Sequence, residues 1–395
     1  MNSIVITRYN NRIMCGYFED YKLLECDFNP DEDVNVSIGD IYIGVVDNIV
    51  SNLNCAFVRF QKDLIGYYPL ESNKHIFLNP KNDDKIHIGD RILVQVEKEP
   101  IKTKPYTLTS NISIHGRYCV ACSDTKDIMV SKKISNPVKN ELKCRLEEHL
   151  AEKYEYGLIV RTNAKDAELG VVKDEAVRLL DKLTSVLNLA KHQTKYSKLY
   201  SGSPFYIEFI NSFSSNLVDK ITTDIDEIYT TMNSMRIPCT LYKDEQLELV
   251  HLYNIDKQIE RALNKRVWLD CGGYLIIEPT ESLTAVDVNS GKFQPSKRAD
   301  RRASILKVNI EAAQELSKQL KLRNISGMII VDFINMDNDN DNTELIKELK
   351  KCLATDRIGA NFVDKTSLGL IEITRKKVKR PLYQILHNGG NIVHE

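Results

Sequence analysis

Asp287 and Asn289 stand two residues apart at the end of the β-rich run Leu283–Asn289, where it passes into Ser290-Gly291. Side chains on a strand alternate between faces, so Leu283, Ala285, Asp287 and Asn289 share one side and Thr284, Val286 and Val288 the other. A second apolar run, Gly327–Phe333, carries Asp332 near its C-terminal end. Met328, Ile330 and Ile334 fall on the face of Asp332, so the strand reads as buried, and a buried unpaired acid is costly unless a cation compensates it. Two strand-end carboxylates with a neighbouring amide point to a divalent-metal site. The competing reading, an aspartate capping a helix or held in a salt bridge, explains each acid alone better than both together.

Other residue sets suggest a polymeric, anionic substrate. Phe57 and Tyr67 are candidates for stacking bases and Lys104 for holding a phosphate, with barrel core as the alternative for the two aromatics. Arg161-Thr162 ends the run Gly157–Thr162, and a cation beside a hydroxyl can grip a phosphate, although a solvated arginine is the commoner case. Arg375–Arg380 holds five cations in six residues, which reads as an RNA-backbone patch or as a solvated helix or tail. Three further patterns read as decoys. Cys119-Val120-Ala121-Cys122 lacks the second pair that a zinc site needs. Asp337–Asn342 with Glu348 approximates a calcium loop, but a strand rather than a helix precedes it, so an acidic loop capping the next helix is expected. Ser290-Gly291-Lys292 lacks the first glycine and the Ser/Thr of a phosphate-binding loop.

These residues need scaffolding, and the chain supplies it in blocks. The 395 residues suffice for two to four domains, with ordinary hydrophobic (42%) and charged (28%) content. A net charge of −1 makes any basic surface local. The nine scattered cysteines fit free thiols in a reducing cytoplasm, and neither a membrane-length apolar run nor a signal-peptide pattern is present. Short β-runs before residue 33 form a meander that must pack on something later in the chain. Val36–Ser113 reads as five short strands with Gly-Asp turns, an OB-type barrel, and resembles the RNA-binding domain named after ribosomal protein S-one. Helices are expected over Pro137–Lys153, Asp166–Lys191, Ser212–Asp219, Asp224–Ser234, Tyr253–Leu263, Arg301–Leu322 and Thr343–Ala354, and strands over Phe205–Ile210 and Cys239–Tyr242.

The segments Gly272–Glu281, Thr284–Gly291, Asn309–Ala313, Gln319–Arg323, Gly327–Met336 and Leu368–Arg375 together resemble the catalytic half of the ribonuclease E/G family. The likeness runs from about Val36 to Arg380. It implies an α+β and α/β multidomain chain. Residues 1–35 and 205–265 would form a ribonuclease-H-like subdomain, 36–115 an inserted OB-fold RNA-binding domain and 116–204 a 5′-phosphate sensor region. Residues 266–385 would be a deoxyribonuclease-I-like catalytic subdomain and 386–395 a tail. It implies cleavage of single-stranded, A/U-rich RNA to 5′-phosphate and 3′-hydroxyl ends, in rRNA and tRNA processing and mRNA decay in the cytoplasm. Asp287 and Asp332 match the family's magnesium ligands (manganese being an alternative ion). Asn289 matches an amide that orients the scissile phosphate or a water held by the metal. Phe57, Tyr67 and Lys104 match RNA contacts, and Arg161, Thr162 and the Val120 backbone match a 5′-monophosphate pocket. The family commonly continues into a Cys-Pro-x-Cys zinc link and a small dimerisation domain. No cysteine follows Cys352, so no zinc is expected and the oligomeric state stays open; nor is a long scaffolding tail expected. Asn335 and Glu278 replace residues that are usually aspartate. A non-catalytic RNA-binding protein of the same fold, such as a ribosome-associated factor, is the rival expectation.

Overall fold

A computed structural model of the chain describes residues 1–29, 36–79, 83–100, 104–150, 153–214, 217–291 and 298–387. The N-terminal meander is β1 (Asn2–Tyr9), β2 (Arg12–Glu19) and β3 (Lys22–Phe28). Next come β4 (Ile41–Val50), β5 (Cys55–Gln61), β6 (Leu64–Pro69), β7 (Arg91–Lys98) and β8 (Thr107–Thr109). Then follow β9 (Ser113–His115), β10 (Cys119–Cys122), β11 (Ile128–Val130), α1 (Asn136–Leu150), β12 (Gly157–Val160), α2 (Leu169–Ala190), β13 (Lys198–Tyr200) and α3 (Phe205–Asn211). The remainder is β14 (Lys220–Thr223), α4 (Asp226–Ser234), β15 (Thr240–Leu241), α5 (Leu249–Leu252), α6 (Ile255–Leu263), β16 (Arg266–Trp268), β17 (Tyr274–Pro279), β18 (Leu283–Asn289), α7 (Arg298–Leu322), β19 (Gly327–Asp332), α8 (Asp339–Leu353), β20 (Ala360–Lys365), β21 (Ile371–Arg375) and α9 (Leu382–His387).

The result is a mixed α+β chain that divides into two compact units, 1–29 with 218–395, and 30–217. In the second unit β4, β5, β6, β8 and β7 pair in that order, and β4 also pairs with β7, which closes a five-stranded barrel. Closure removes the free strand edges. Tyr42, Val58, Phe60, Tyr68, Ile92, Val94 and Leu108 fill the interior. Beside it, the sheet β11-β12-β10-β9 packs on α1 and α2. Leu142, Leu146 and Leu150 of α1 are buried, as their four-residue spacing requires.

The first unit holds two sheets. The order β15-β14-β1-β2-β3 shows how the meander is completed: β14, more than 200 residues on, pairs in parallel with β1. The other sheet has the order β16-β17-β18-β19-β21-β20, with α7 as the crossover between the parallel strands β18 and β19. Leu275, Ile277, Val286, Ile329, Val331, Ile371 and Ile373 form a core with Ala312, Leu316 and Leu320 of α7 and Leu345, Leu349 and Leu353 of α8. This covers one face of the sheet.

Three expectations are corrected. Phe205–Ile210 is a helix, not a strand: Tyr206, Ile207 and Ile210 bury one helical face, and so short an apolar run carries no decisive period. It lies in the second unit, not with the N-terminal strands. No α-helix is described within Ser212–Asp219, of which 215–216 lie outside the described residues. The Asp332 face of β19 is the open one: Met328 is 53% exposed while Ile329 and Val331 are fully buried. The burial argument for a cation at Asp332 therefore falls.

Candidate active site

Strand register builds the site. Across the parallel pair Asp287 stands opposite Asp332, and across the antiparallel pair Asn289 stands opposite Tyr274. Laterally paired residues share a face, so both carboxylates emerge side by side on the sheet face that α7 and α8 leave open. Burial alternates as predicted in β18: Thr284, Val286 and Val288 are buried, and Ala285 and Asp287 are exposed. Asn289 Nδ2 donates to Asp287 Oδ2 at 2.7 Å. Among the described residues, Asp287 Oδ1 and both Asp332 oxygens have no hydrogen-bond or ion-pair partner. The pair sits at the C-terminal ends of parallel strands, where open α/β sheets commonly place ligands.

Two devices hold this geometry, and sequence reasoning missed the first. Asn309 of α7 is fully buried; its Nδ2 donates to Ile334 O at 2.8 Å and its Oδ1 accepts from Ile334 N at 3.1 Å. That clamp fixes the chain two residues past Asp332. A polar residue breaking the apolar stripe of α7 was the available signal. The second device is the glycine closure of the hairpin. Gly291 has φ +59°, and a Cβ there would lie 2.3 Å from Gly272 O. Gly273 also lies against the strand, where a Cβ would sit 2.9 Å from Asn289 O. Lys292 and Phe293 of the rejected phosphate-loop pattern lie outside the described residues.

The donor set suits a hard cation. Two carboxylates with uncommitted oxygens, facing open space, match magnesium, which takes few protein ligands and keeps its waters. Like charges on neighbouring strands repel, and a divalent ion between them relieves that cost. Among the described residues no cluster of three or more His, Cys, Asp or Glu offers another metal site. Glu278 is engaged with Lys265 at 3.3 Å, and Asn335 is exposed beyond the end of β19.

In the second unit Phe57 and Tyr67 are directly opposed on β5 and β6, with ring centroids 6.4 Å apart and nearly perpendicular. Both are half-buried, whereas Val58, Phe60 and Tyr68 point inward. They belong to the barrel's outer face and not to its core. Lys104 is exposed just before β8. Arg161 follows β12, and its amide donates to Tyr118 O at 2.7 Å. Its guanidinium is half-buried and, among the described residues, lacks a hydrogen-bond or ion-pair partner. Burial lowers its pKa, and Glu175 and Glu208 oppose that shift. Thr162 Oγ1 lies 3.0 Å from Ser131 Oγ. Val120 is opposed to Ile159 and to His115 on either side. The Arg161–Tyr118 bond sets the alternation of this ladder, so the Val120 amide is engaged with Ile159. His115 faces the same side and is exposed on the edge strand β9; nearby protein and then the Arg161 charge lower its pKa.

Other candidates resolve into structure. Arg375 is buried against Asp356 and also donates to Asn324 Oδ1 at 2.9 Å and Ile325 O at 3.0 Å. Lys379 pairs with Asp27. The basic run is thus largely a set of internal ties, with Lys376 and Lys377 left exposed. Cys119 and Cys122 are buried thiols whose pKa values burial pushes up to about 12, which disfavours the thiolates a metal needs. Residues 339–342 are no loop but the first turn of α8, capped by the Asn338 side chain, and Asp341 pairs with Arg302 at 2.6 Å.

Comparison with known proteins places the chain among ribonuclease E/G relatives. Residues 113–378 match the group described as the Ribonuclease E/G family. The chain is 33% identical to Ribonuclease E of Synechocystis over 371 residues, 88% of this chain and 53% of that protein. It is 30% identical to a Ribonuclease E/G-like protein of Pyropia yezoensis, covering 99% and 78%. It is also 30% identical to Ribonuclease G of Escherichia coli K12, covering 89% and 75%. The chain spans about half the length of the cyanobacterial relatives it matches.

Proposed function

We propose, from the premise that this chain belongs to the ribonuclease E/G family, that it is a metal-dependent endoribonuclease whose active site is Asp287, Asp332 and Asn289. The observation that carries the reading is the lateral pairing of the two aspartates on an open sheet face, with oxygens uncommitted. Asp287 and Asp332 would hold magnesium, or manganese in its place. Such an ion neutralises phosphate charge and lowers the pKa of an attacking water. Asn289 holds one Asp287 oxygen and so fixes which oxygen faces the substrate. Its Oδ1, which has no partner among the described residues, would orient a water held by the metal, and the amide would thereby position the scissile phosphate. Attack by water rather than by the RNA 2′-hydroxyl gives a 5′-phosphate and a 3′-hydroxyl.

The substrate in this reading is single-stranded, A/U-rich RNA, met in rRNA and tRNA processing and mRNA decay in the cytoplasm. Phe57 and Tyr67 would stack bases and Lys104 would hold the backbone; the place of the two half-buried rings on the barrel's outer face supports this. Arg161 and Thr162 would read a 5′-monophosphate, which a half-buried guanidinium without an ion pair favours. Val120 would border that pocket from β10 and not donate its amide, which is engaged with Ile159. Assigning the two sheets of the first unit as ribonuclease-H-like and deoxyribonuclease-I-like belongs to the same reading. Among the described residues no helix is long and apolar enough to cross a membrane.

The test is cleavage of a short 5′-monophosphorylated RNA with Mg²⁺ or Mn²⁺. Asp287→Asn and Asp332→Asn should each lower kcat by about a thousandfold, since loss of metal stabilisation costs several kcal/mol. Unchanged cleavage in both variants would show the site to be misassigned. A wild type that binds the RNA and cuts none of it with either ion supports the rival reading, a non-catalytic RNA-binding protein.

A further inference from the structure

The open face of the catalytic sheet carries a second feature beside the aspartates. Register aligns Arg266, Ile276, Asp287 and Asp332 in one row across four strands, and Trp268, Tyr274 and Asn289 in the next. With strands about 4.8 Å apart, Trp268 lies about 10 Å from Asn289, and Arg266 as far from Asp287. Trp268 is 60% exposed on the edge strand β16. Its ring centroid is 5.2 Å from that of Tyr274, tilted by 60°. The Arg266 guanidinium lies 4.6 Å from the Tyr274 centroid and 5.6 Å from that of Trp268, bracketing both rings. This cation–π bracket holds the indole out from the sheet edge instead of folding it into the core.

Trp268 and Arg266 also line a groove of about 1110 Å³ beside the sheet's free edge. Lys22, Arg261, the exposed Tyr21 and Lys265, itself paired with Glu278, line it too. Its one acidic lining residue, Asp20, is tied to the N-terminal amine. Exposed aromatics interleaved with cations are what a single strand requires, because every base has a face to stack and every nucleotide a charge to neutralise. A protein strand adding to β16 would instead need the edge clear of bulk and charge.

We infer that Trp268, supported by Arg266 and Tyr274, is a base-stacking platform for a nucleotide flanking the scissile phosphate, and that the cationic groove carries the adjoining single strand. This rests on the endoribonuclease reading and adds a positioning element on the catalytic sheet itself. The platform binds bases by their faces, so it is indifferent to base identity but requires an unpaired strand.

Trp268 is the chain's only tryptophan, so its emission reports on this spot alone. The experiment titrates the whole 395-residue Asp332→Asn chain, blocked for cleavage, with unlabelled single-stranded decaribonucleotide while following that emission. Anisotropy of a labelled copy measures binding in parallel. Saturable quenching at the anisotropy Kd is expected, with none from a blunt RNA duplex. Trp268→Ala should weaken binding about 5- to 160-fold, the range of one stacked base. Trp268→Phe should restore most of it, and far-UV circular dichroism should be unchanged in both. If the RNA binds while the emission stays constant and Trp268→Ala binds as tightly as its parent, the platform is refuted and the nuclease assignment stands. Equal quenching by duplex overturns the single-strand assignment. If the wild type neither binds nor cuts RNA, both fall.

Discussion

At the scale of single residues, the site depends on which atoms are already spoken for. Asn289 spends its amide on Asp287 and, among the described residues, leaves the paired carboxylates three open oxygens. Arg161 has the opposite character, a cation drawn partly out of water that feels the Glu175 and Glu208 charges but forms no ion pair among the described residues. An anion docking there would gain charge-assisted hydrogen bonds with little further desolvation. Arg161→Ala should therefore reduce the ratio of cleavage rates for 5′-phosphate over 5′-hydroxyl substrates by about tenfold or more, measured on otherwise identical oligonucleotides. An unchanged ratio removes Arg161 from phosphate sensing. The residues legible in the sequence were those with unusual chemistry for their place, acids and a cation at strand ends. Asn309 was not, because its role is defined by the backbone it meets, 25 residues further on.

At the scale of elements, alternation along β18 gave the right faces, and the same rule applied to β19 gave the right partners but the wrong environment. Met328 and Ile330 are apolar, yet they share the open face with Asp332. Periodicity tells which residues go together, and only the packing of α7 and α8 tells which set is covered. The C-terminal basic run shows the same gap. Arg375 ends β21 and pairs with Asp356, and both are buried. Breaking a buried pair leaves one uncompensated charge, so Asp356→Ala should cost about 3–5 kcal/mol in urea unfolding. A loss below about 1 kcal/mol would return Arg375 to the status of a surface cation.

At the scale of the whole molecule, the chain contains a continuous unit and a discontinuous one. Residues 30–217 enclose two cores, the closed barrel and the sheet packed on α1 and α2, without a strand from elsewhere. Expressed alone, that segment should give a cooperative thermal transition by circular dichroism; a molten, non-cooperative profile would refute its independence. The first unit cannot be cut so, because β1 lies between β2 and β14. The sequence by itself determined the element types of most long segments, the barrel, the alternation that puts Asp287 with Asn289, and the family, since these depend on local periodicity and on residues close in the chain. Only the tertiary structure decided which sheet face stays open, that Asp287 and Asp332 are lateral neighbours, that Arg375 and Lys379 are internal ties, and that Trp268 lies on the face of the aspartates. Each of these depends on strand register and on helix cover between segments tens to hundreds of residues apart, and local preference carries no record of either.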